Sequence, residues 1–313
     1  MSESLPHRSL MRITNLSTFF FTPRGIIKAV RDLSLSLHPG QTTALVGESG
    51  CGKSITALSI LGLVPEPGRI VDGQIIFEQR DLTLLSQEQL RRIRGNQIAM
   101  VFQDPMTALN PVFSIGTQIE EVLRLHRGQS RKAARTRAAE LLHQVGIPDP
   151  EKRLDSFPHQ LSGGMRQRAM IAMALACDPQ ILIADEPTTA LDVTIQAQIM
   201  HLLRTQQHQR NMGVLLISHD LGIVAQHAEY IVLMYAGMVV EEGDTRAIFD
   251  HPLHPYTCHL LSCVRGEAGR KGTGIEPHSA EFWEERFRPR SNALPPMQDL
   301  GAGRRVRCWE VPA

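Results

Sequence analysis

One glycine-rich segment holds the residues of this chain best suited to binding phosphate. It has the pattern GxxxxGK[ST] and consists of Gly47, Glu48, Ser49, Gly50, Cys51, Gly52, Lys53 and Ser54. Glycines let backbone N–H groups converge on phosphate oxygens, because no Cβ stands in the way. The pattern predicts a phosphate-binding loop in which Lys53 reaches the β- and γ-phosphates of a nucleoside triphosphate and the Ser54 hydroxyl binds Mg²⁺.

Two adjacent carboxylates form a second candidate group. Asp185 and Glu186 directly follow the apolar run at 181–184, which predicts that they lie at the carboxyl end of a buried strand. Open α/β sheets bind ligands at that edge. We expect Asp185 to hold Mg²⁺, directly or through water, and Glu186 to orient and polarise the attacking water. The alternative is an ordinary solvent-exposed strand end.

The surrounding sequence predicts the elements that position these groups. Residues 10–21 and 26–37 are rich in β-branched and apolar residues, which indicates two antiparallel strands joined by a turn at 22–25. A short apolar run at 42–46 feeds the phosphate loop. Further strands are expected at 73–77, 97–102, 180–184, 214–218 and 230–235, and helices at 54–63 and 193–209. Alternating strands and helices favour a parallel sheet.

Between residues 104 and 176 the pattern is helical, without a strand signal. Capping boxes are expected at 86–89, in front of a short basic helix, and at 117–120. A helix is predicted over 130–145, and another from 163 to 176. The expected fold class is α/β: a P-loop NTPase core with a parallel sheet, an N-terminal antiparallel β subdomain and an inserted helical subdomain at about 104–176.

Composition excludes several classes of protein. The 313 residues carry a formal net charge of +1, which gives no electrostatic case for a nucleic-acid partner. The longest apolar run, at 230–240, has 11 residues and is too short to span a bilayer. The first 25 residues lack a signal-peptide pattern, so the chain is expected in the cytoplasm. Its 5 scattered cysteines argue against a disulfide framework or a zinc site.

A glycine motif at 161–168 completes a set that belongs to a known family. Over about residues 10–265 the chain resembles the ATP-binding subunits of ABC transporters. The motifs follow the family's order: the phosphate loop, Gln103, the signature LSGGMRQR, the strand ILIADE, Ala190-Leu191-Asp192, and Ser218-His219-Asp220. The resemblance implies an ABC ATPase core at 1–265 and a C-terminal extension of unassigned role at 266–313.

The resemblance also implies roles for matching residues. Gln103 is expected to contact Mg²⁺ and the attacking water, and to link the site to the helical subdomain. His219 is expected to contact the γ-phosphate, and Asp192 to cross a dimer interface. The signature residues Ser162, Gly163 and Gly164 are expected to bind the γ-phosphate of ATP held by a second subunit, through N–H groups at a helix N-terminus.

In this family the adenine base usually stacks on an aromatic residue before the phosphate loop. Phe19, Phe20 and Phe21 compete for that role. Counting back from the following strand favours Phe20, which offers a π-face but no hydroxyl. The alternative is that all three belong to the core of an edge strand.

Two segments narrow the resemblance. Residues 101–111 and 251–257 are similar to the dipeptide, oligopeptide and nickel importers. They imply an ATPase subunit that powers peptide import, peripheral to the cytoplasmic face of the inner membrane. Its expected partners are two permease subunits, a second ATPase subunit (a paralogue or a copy of itself) and, indirectly, an extracytoplasmic substrate-binding protein. The alternatives are a nickel or metal-chelate importer and a soluble ABC ATPase.

Two further expectations concern the cysteines. Tails in this group commonly hold a cysteine cluster proposed to bind an iron–sulfur centre, but this tail keeps only Cys308, so no cluster is expected. Cys51 lies at a helix N-terminus next to Lys53, where thiolate is favoured. We expect alkylation of Cys51 to block ATP hydrolysis and bound nucleotide to protect it; the alternative is a small residue that fills the loop.

Overall fold

The computed structural model describes residues 9–189, 191–264 and 295–309. Its strands are β1 (Met11–Thr22), β2 (Gly25–Leu37), β3 (Thr42–Val46), β4 (Gly68–Phe77), β5 (Arg80–Asp81), β6 (Ile98–Val101), β7 (Ile181–Asp185), β8 (Gly213–Ser218), β9 (Tyr230–Tyr235), β10 (Met238–Asp244), β11 (Met297–Asp299) and β12 (Arg305–Arg307). They form a 4-stranded sheet in the order β2-β1-β4-β5 and an 8-stranded sheet in the order β11-β12-β10-β9-β3-β8-β7-β6. The expected α/β class, with a separate antiparallel sheet, is confirmed.

The helices are α1 (Lys53–Ile60), α2 (Gln87–Ile93), α3 (Pro105–Ala108), α4 (Ile115–Arg127), α5 (Arg131–Gln144), α6 (Pro150–Arg153), α7 (Gly163–Ala174), α8 (Val193–Arg210), α9 (Leu221–His227), α10 (Thr245–Asp250) and α11 (Pro255–Val264). Among the described residues, no helix has both the length and the apolar character to cross a bilayer.

The smaller sheet is antiparallel throughout. β1 pairs with β2 from Met11↔Leu37 to Thr22↔Gly25, so the predicted pair of strands and its turn are present. β1 also pairs with β4 on its other side. The apolar side chains of these strands, such as Leu16 and Ile75, pack with α1 and one face of the larger sheet in a single buried cluster.

The centre of the larger sheet is parallel and covered on both faces. β3, β7 and β8 are buried along their whole length, as expected when apolar runs lack alternation. Val46 is level with Ser218, and Asp185 with Ile217. The carboxyl ends of three neighbouring strands therefore meet at one edge, which places the phosphate loop beside Asp185 and the segment after Ser218.

Helices α3 to α7 lie between β6 and β7 in the chain, and no strand interrupts residues 105–174. The capping box at 86–89 is present, with Ser86 and Gln89 bonded reciprocally. The one expected at 117–120 is wrong. Helix α4 begins earlier, and Ser114 is its N-cap, with Thr117 already in the third helical position as the donor to Ser114. An i-to-i+3 polar pattern does not by itself locate the first helical residue.

The sequence patterns missed three strands of the larger sheet. The expected strand at 230–235 is β9, but the chain turns at 236–237 and the rest of the apolar run, to residue 240, begins β10. β11 and β12 pair with each other, and β12 pairs with β10 through Glu241↔Val306. These short strands lack the long apolar runs that marked the central sheet. The proposed boundary near 265 lies at the edge of the described residues and stays a prediction.

Candidate active site

The phosphate loop is closely packed against neighbouring backbone. A Cβ on Gly47 would lie 2.2 Å from the carbonyl oxygen of Met234, the penultimate residue of β9. A Cβ on Gly52 would lie 2.2 Å from the carbonyl oxygen of Ala29 on β2, and Gly52 has a φ of +108°. Both positions therefore require glycine. The loop is held where β3 ends and α1 begins.

The ammonium group of Lys53 is enclosed by this loop. Lys53 is 5% exposed, and its Nζ donates to the carbonyl oxygens of Gly47 at 2.7 Å and Glu48 at 2.9 Å. A buried cation held only by neutral acceptors is well placed to exchange them for phosphate oxygens.

Ser54 and Asp185 lie together at the carboxyl edge of the sheet. The Ser54 hydroxyl donates to Oδ1 of Asp185 at 3.2 Å. Burial raises the pKa of the Asp185 carboxyl above its usual range, and the Ser54 hydrogen bond opposes that change. A hydroxyl and a buried carboxylate form a hard-oxygen donor set that fits Mg²⁺.

Glu186 is the best-connected carboxylate of the site. Its side chain accepts hydrogen bonds from Nε2 of Gln103 and the hydroxyl of Thr189, both at 2.9 Å. Its Oε1 lies 3.1 Å from Nδ1 of His219. Burial raises the pKa of Glu186, but the hydrogen bonds from His219 and Thr189, together with the charges of His219 and Lys53, outweigh burial and leave that pKa below its usual value.

The backbone directs Glu186 toward these partners. Glu186 has a φ of +47°, and its N–H donates to Ile217 of β8 at 2.9 Å. A non-glycine residue in this conformation carries a local cost, which surrounding contacts must offset. The chain thus turns sharply after β7. Although Asp185 and Glu186 are adjacent, their side chains contact different residues.

The sequence motifs assign no role to two residues that contact this region. Thr189 binds Glu186, and Nε2 of Gln167 donates to the carbonyl oxygen of Pro187 at 2.6 Å. Gln167 is buried on α7, the helix that begins with the glycine signature. Thr189 lies three positions after Glu186, a spacing that is typical of a contact within a turn. No local pattern in the sequence relates Gln167 to Pro187.

The signature lies at the start of α7. Ser162 is its N-cap and accepts from the N–H of Met165 at 3.3 Å. Ser162 and Gly163 are exposed. A Cβ on Gly164 would lie 3.0 Å from Ile195 of α8, and Asp192 caps that helix by accepting from the N–H of Ile195. The signature therefore packs beside the start of α8.

The three phenylalanines have different surroundings. Lys28 Nζ lies 5.6 Å from the ring centroid of Phe19, and Arg69 lies over Phe21 at 4.4 Å. Phe20 is half-buried; a Cβ on Gly68 would lie 2.6 Å from its ring. Phe20 thus differs from both neighbours in having no described cation over its ring, and its role in binding adenine stays a prediction.

The expectation of a thiolate at Cys51 is wrong for this structure. Cys51 is 7% exposed, and its Sγ faces Gly47 inside the loop. Burial raises the pKa of the Cys51 thiol, and the favourable charge of Lys53 does not overcome it. The position beside a lysine suggested activation, but desolvation of the thiolate dominates.

Cys308 of the tail is buried, and Cys258 on α11 is partly buried with its thiol near the carbonyl oxygen of Pro252. Burial raises the pKa of Cys258 to about 11. Within the described ranges no three histidine, cysteine or acidic side chains form a metal-binding group. The expected lack of an iron–sulfur cluster stays a prediction.

Comparisons with known proteins agree with this geometry. Residues 30–189 match the family model described as ABC transporter. The dipeptide transport ATP-binding protein DppD of Bacillus subtilis is 53% identical over 256 residues, covering 82% of this chain and 76% of that protein. The DppD protein of Escherichia coli is 52% identical over 256 residues, covering 82% of this chain and 78% of that protein. A dimeric ATP-binding cassette solved with ADP and inorganic phosphate matches with a TM-score of 0.68 and 29% identity, over 75% of this chain and 99% of that one.

Proposed function

Because this chain belongs to the ABC transporter family, we propose that it is the ATP-hydrolysing subunit of a peptide importer. The observation that carries the proposal is the environment of Glu186, which is bonded by Gln103, Thr189 and His219 next to the Ser54–Asp185 pair. The peptide cargo is supported by the names of the relatives, which are dipeptide transport proteins.

We assign each group at the site a part in hydrolysis. Lys53 leaves the carbonyl oxygens of its loop and binds the phosphates of ATP, while backbone N–H groups of residues 47–54 surround them. Glu186 orients and polarises the attacking water, with Gln103 and His219 fixing its carboxylate. Ser54 and Asp185 would hold Mg²⁺, which neutralises phosphate charge when bound.

The signature is proposed to serve a second subunit's nucleotide. Ser162 and Gly163 are exposed at the N-terminus of α7; the Ser162 hydroxyl bonds within α7, and Leu191 is the neighbour of Gly163. A helix N-terminus binds anions through its free N–H groups. Two cassettes arranged head to tail would place each signature against the ATP of the other. The similar cassette that was solved as a dimer supports the pairing of two cassettes.

The remaining subunits follow from what an importer needs. We propose that two permease subunits and a second ATPase subunit, either a paralogue or a copy, complete the complex at the cytoplasmic face of the inner membrane. A substrate-binding protein outside the cytoplasm would deliver the peptide. Gln103 lies between β6 and the helical subdomain. We propose that its segment transmits the motion caused by hydrolysis to the helical subdomain, which passes it to the permeases.

Uptake of a radiolabelled dipeptide by cells tests the proposal. Cells that produce Glu186→Gln in place of the natural chain should lose uptake, while cells with Glu78→Gln should keep it. Glu78 is an exposed carboxylate whose described partners are Gln97 and Gln180, away from the site. Normal dipeptide uptake with Glu186→Gln, or loss of ⁶³Ni²⁺ uptake in place of dipeptide uptake, would contradict the peptide assignment.

A further inference from the structure

A tyrosine from the far end of the cassette contacts the phosphate loop. The hydroxyl oxygen of Tyr256, on α11, accepts a hydrogen bond from the N–H of Glu48 at 2.9 Å across 208 residues. Tyr256 is 8% exposed, and its ring lies against that of Tyr235 with centroids 4.6 Å apart. Burial raises the pKa of Tyr256 to about 12, so the hydroxyl keeps its proton at neutral pH.

Tyr256 and Lys53 hold opposite sides of one peptide group. The N–H of Glu48 and the carbonyl of Gly47 belong to the same planar unit. Tyr256 binds the N–H, and Lys53 binds the carbonyl at 2.7 Å. When Lys53 turns to the phosphates, its hold on that carbonyl is lost, and the contact with Tyr256 continues to fix the plane of the peptide.

The chain in front of Tyr256 is fixed by a buried carboxylate. Glu241 on β10 is 0% exposed and accepts from the N–H groups of Leu253 at 3.0 Å and His254 at 2.9 Å. Nδ1 of His254 in turn accepts from the N–H of Tyr256 at 3.2 Å. The start of α11 is therefore tied to β10 by contacts that leave little freedom to the tyrosine.

The C-terminal strand pair supplies the cation for that carboxylate. Arg304 directly precedes β12, and its Nη2 lies 3.0 Å from Oε1 of Glu241. The same guanidinium donates to the carbonyl oxygen of His251. A continuous series of contacts therefore joins residues 295–309 to the phosphate loop: Arg304, Glu241, His254, Tyr256 and Glu48.

We propose that Tyr256 is a positioning residue for the phosphate loop, and that the C-terminal strand pair sets its place through Arg304 and Glu241. The inference rests on the proposed function, because it concerns the same ATP site. It also gives a role to the C-terminal extension. The physical reason is that the loop binds phosphate through backbone N–H groups, whose directions depend on the planes of the loop's peptides.

Two variants of the full chain, each with a matched control, isolate the hydroxyl and its support. Tyr256→Phe removes only the oxygen that binds Glu48, and Tyr235→Phe makes the same change in the adjacent ring. Arg304→Met removes the cation beside Glu241. Arg305→Met is its matched control, because Arg305 pairs with Glu242, a buried carboxylate of the same strand that has no described bond to residues 253–256.

The measurements are the equilibrium dissociation constant for mant-ATP, the KM and kcat for ATP, and the midpoint of thermal unfolding. Tyr256→Phe should raise the dissociation constant and KM about three- to tenfold, as expected for one lost hydrogen bond, with kcat changed less than about twofold. Arg304→Met should raise KM in the same way. The double variant of Tyr256→Phe and Arg304→Met should have a KM little higher than that of either single variant. Arg305→Met should lower the unfolding midpoint without raising KM.

The outcomes separate this inference from the proposed function. If Tyr256→Phe matches the wild type in mant-ATP affinity and KM, the positioning role is wrong, although the ATPase assignment stands. If Arg304→Met and Arg305→Met have the same KM, the C-terminal strand pair does not act through Glu241. If the wild-type chain itself neither binds mant-ATP nor hydrolyses ATP with its partner subunits, the proposed function fails first.

Discussion

Nε2 of Gln103 donates to Oε2 of Glu186 at 2.9 Å, although the two residues are 83 positions apart. Gln103 follows β6, where the chain leaves the sheet for the helices α3 to α7, and Glu186 follows the neighbouring strand β7. A movement of those helices that displaces Gln103 would therefore change a contact of the carboxylate proposed to orient water. This contact joins the proposed chemical step to the proposed mechanical output.

Glu186→Gln should slow ATP hydrolysis by about 100-fold or more, because an amide cannot polarise water as a carboxylate does. ATP binding should be retained, since Lys53 and the loop are unchanged, and the dimer should accumulate in its closed form. Phosphate release and size-exclusion chromatography with ATP measure the two effects. Glu78→Gln serves as the control, and wild-type turnover by Glu186→Gln would remove Glu186 from its assigned role.

Lys53→Ala should weaken ATP binding by roughly 10- to 100-fold, because a buried cation that binds phosphate is lost. The loss of its bonds to Gly47 and Glu48 also loosens the loop. Equilibrium binding of mant-ATP measures the effect. Lys132→Ala, at an exposed position of α5, is the matched control. Equal affinity in the two variants would contradict the assignment of Lys53.

Asp185→Asn should stabilise the nucleotide-free protein at neutral pH. Burial raises the pKa of Asp185 in the folded state, so its charged form costs stability above that folded pKa, and the cost vanishes as the pH falls below the unfolded pKa. The gain in thermal midpoint should therefore shrink in acid, and MgATP should stabilise the variant less than the wild type. Asp250→Asn, in an exposed ion pair, is the control; a lower midpoint for Asp185→Asn at neutral pH would contradict the expectation.

Alanine substitution of each phenylalanine at 19–21 should single out Phe20. Loss of a stacking partner should raise the KM for ATP about three- to tenfold. Inhibition by inorganic tripolyphosphate, which has no base, should be unchanged. The rings of Phe19 and Phe21 already lie near Lys28 and Arg69, so their loss should have smaller effects on KM. A larger effect at either neighbour would reassign the adenine contact.

Cys51 should react slowly with iodoacetamide at neutral pH in the folded, nucleotide-free protein. Burial raises the pKa of its thiol and also limits access. Mass spectrometry of the loop peptide, compared with N-acetylcysteine and with the unfolded chain, measures the rate. A folded protein that reacts faster than N-acetylcysteine would restore the hypothesis of an activated thiolate.

The sequence by itself determined the features that depend on local pattern. The glycines around Lys53 and the apolar runs before Gly47 and Asp185 predicted a loop and two strands, because steric freedom and burial act over a few residues. The ordered motifs identified the family, because each motif is a short run of residues that can be read directly from the sequence. These patterns also predicted that Gln103, Glu186 and His219 would belong to one site.

Only the tertiary structure decided contacts between distant segments. The balance of burial and charge at Cys51 depends on which groups surround its thiol, and the sequence shows only Lys53 among them. Likewise, no local pattern relates Tyr256 to Glu48 or Arg304 to Glu241, since each pair meets through the pairing and packing of strands far apart in the chain. Side-chain chemistry is local, whereas desolvation and long-range hydrogen bonding exist only once the sheet has assembled.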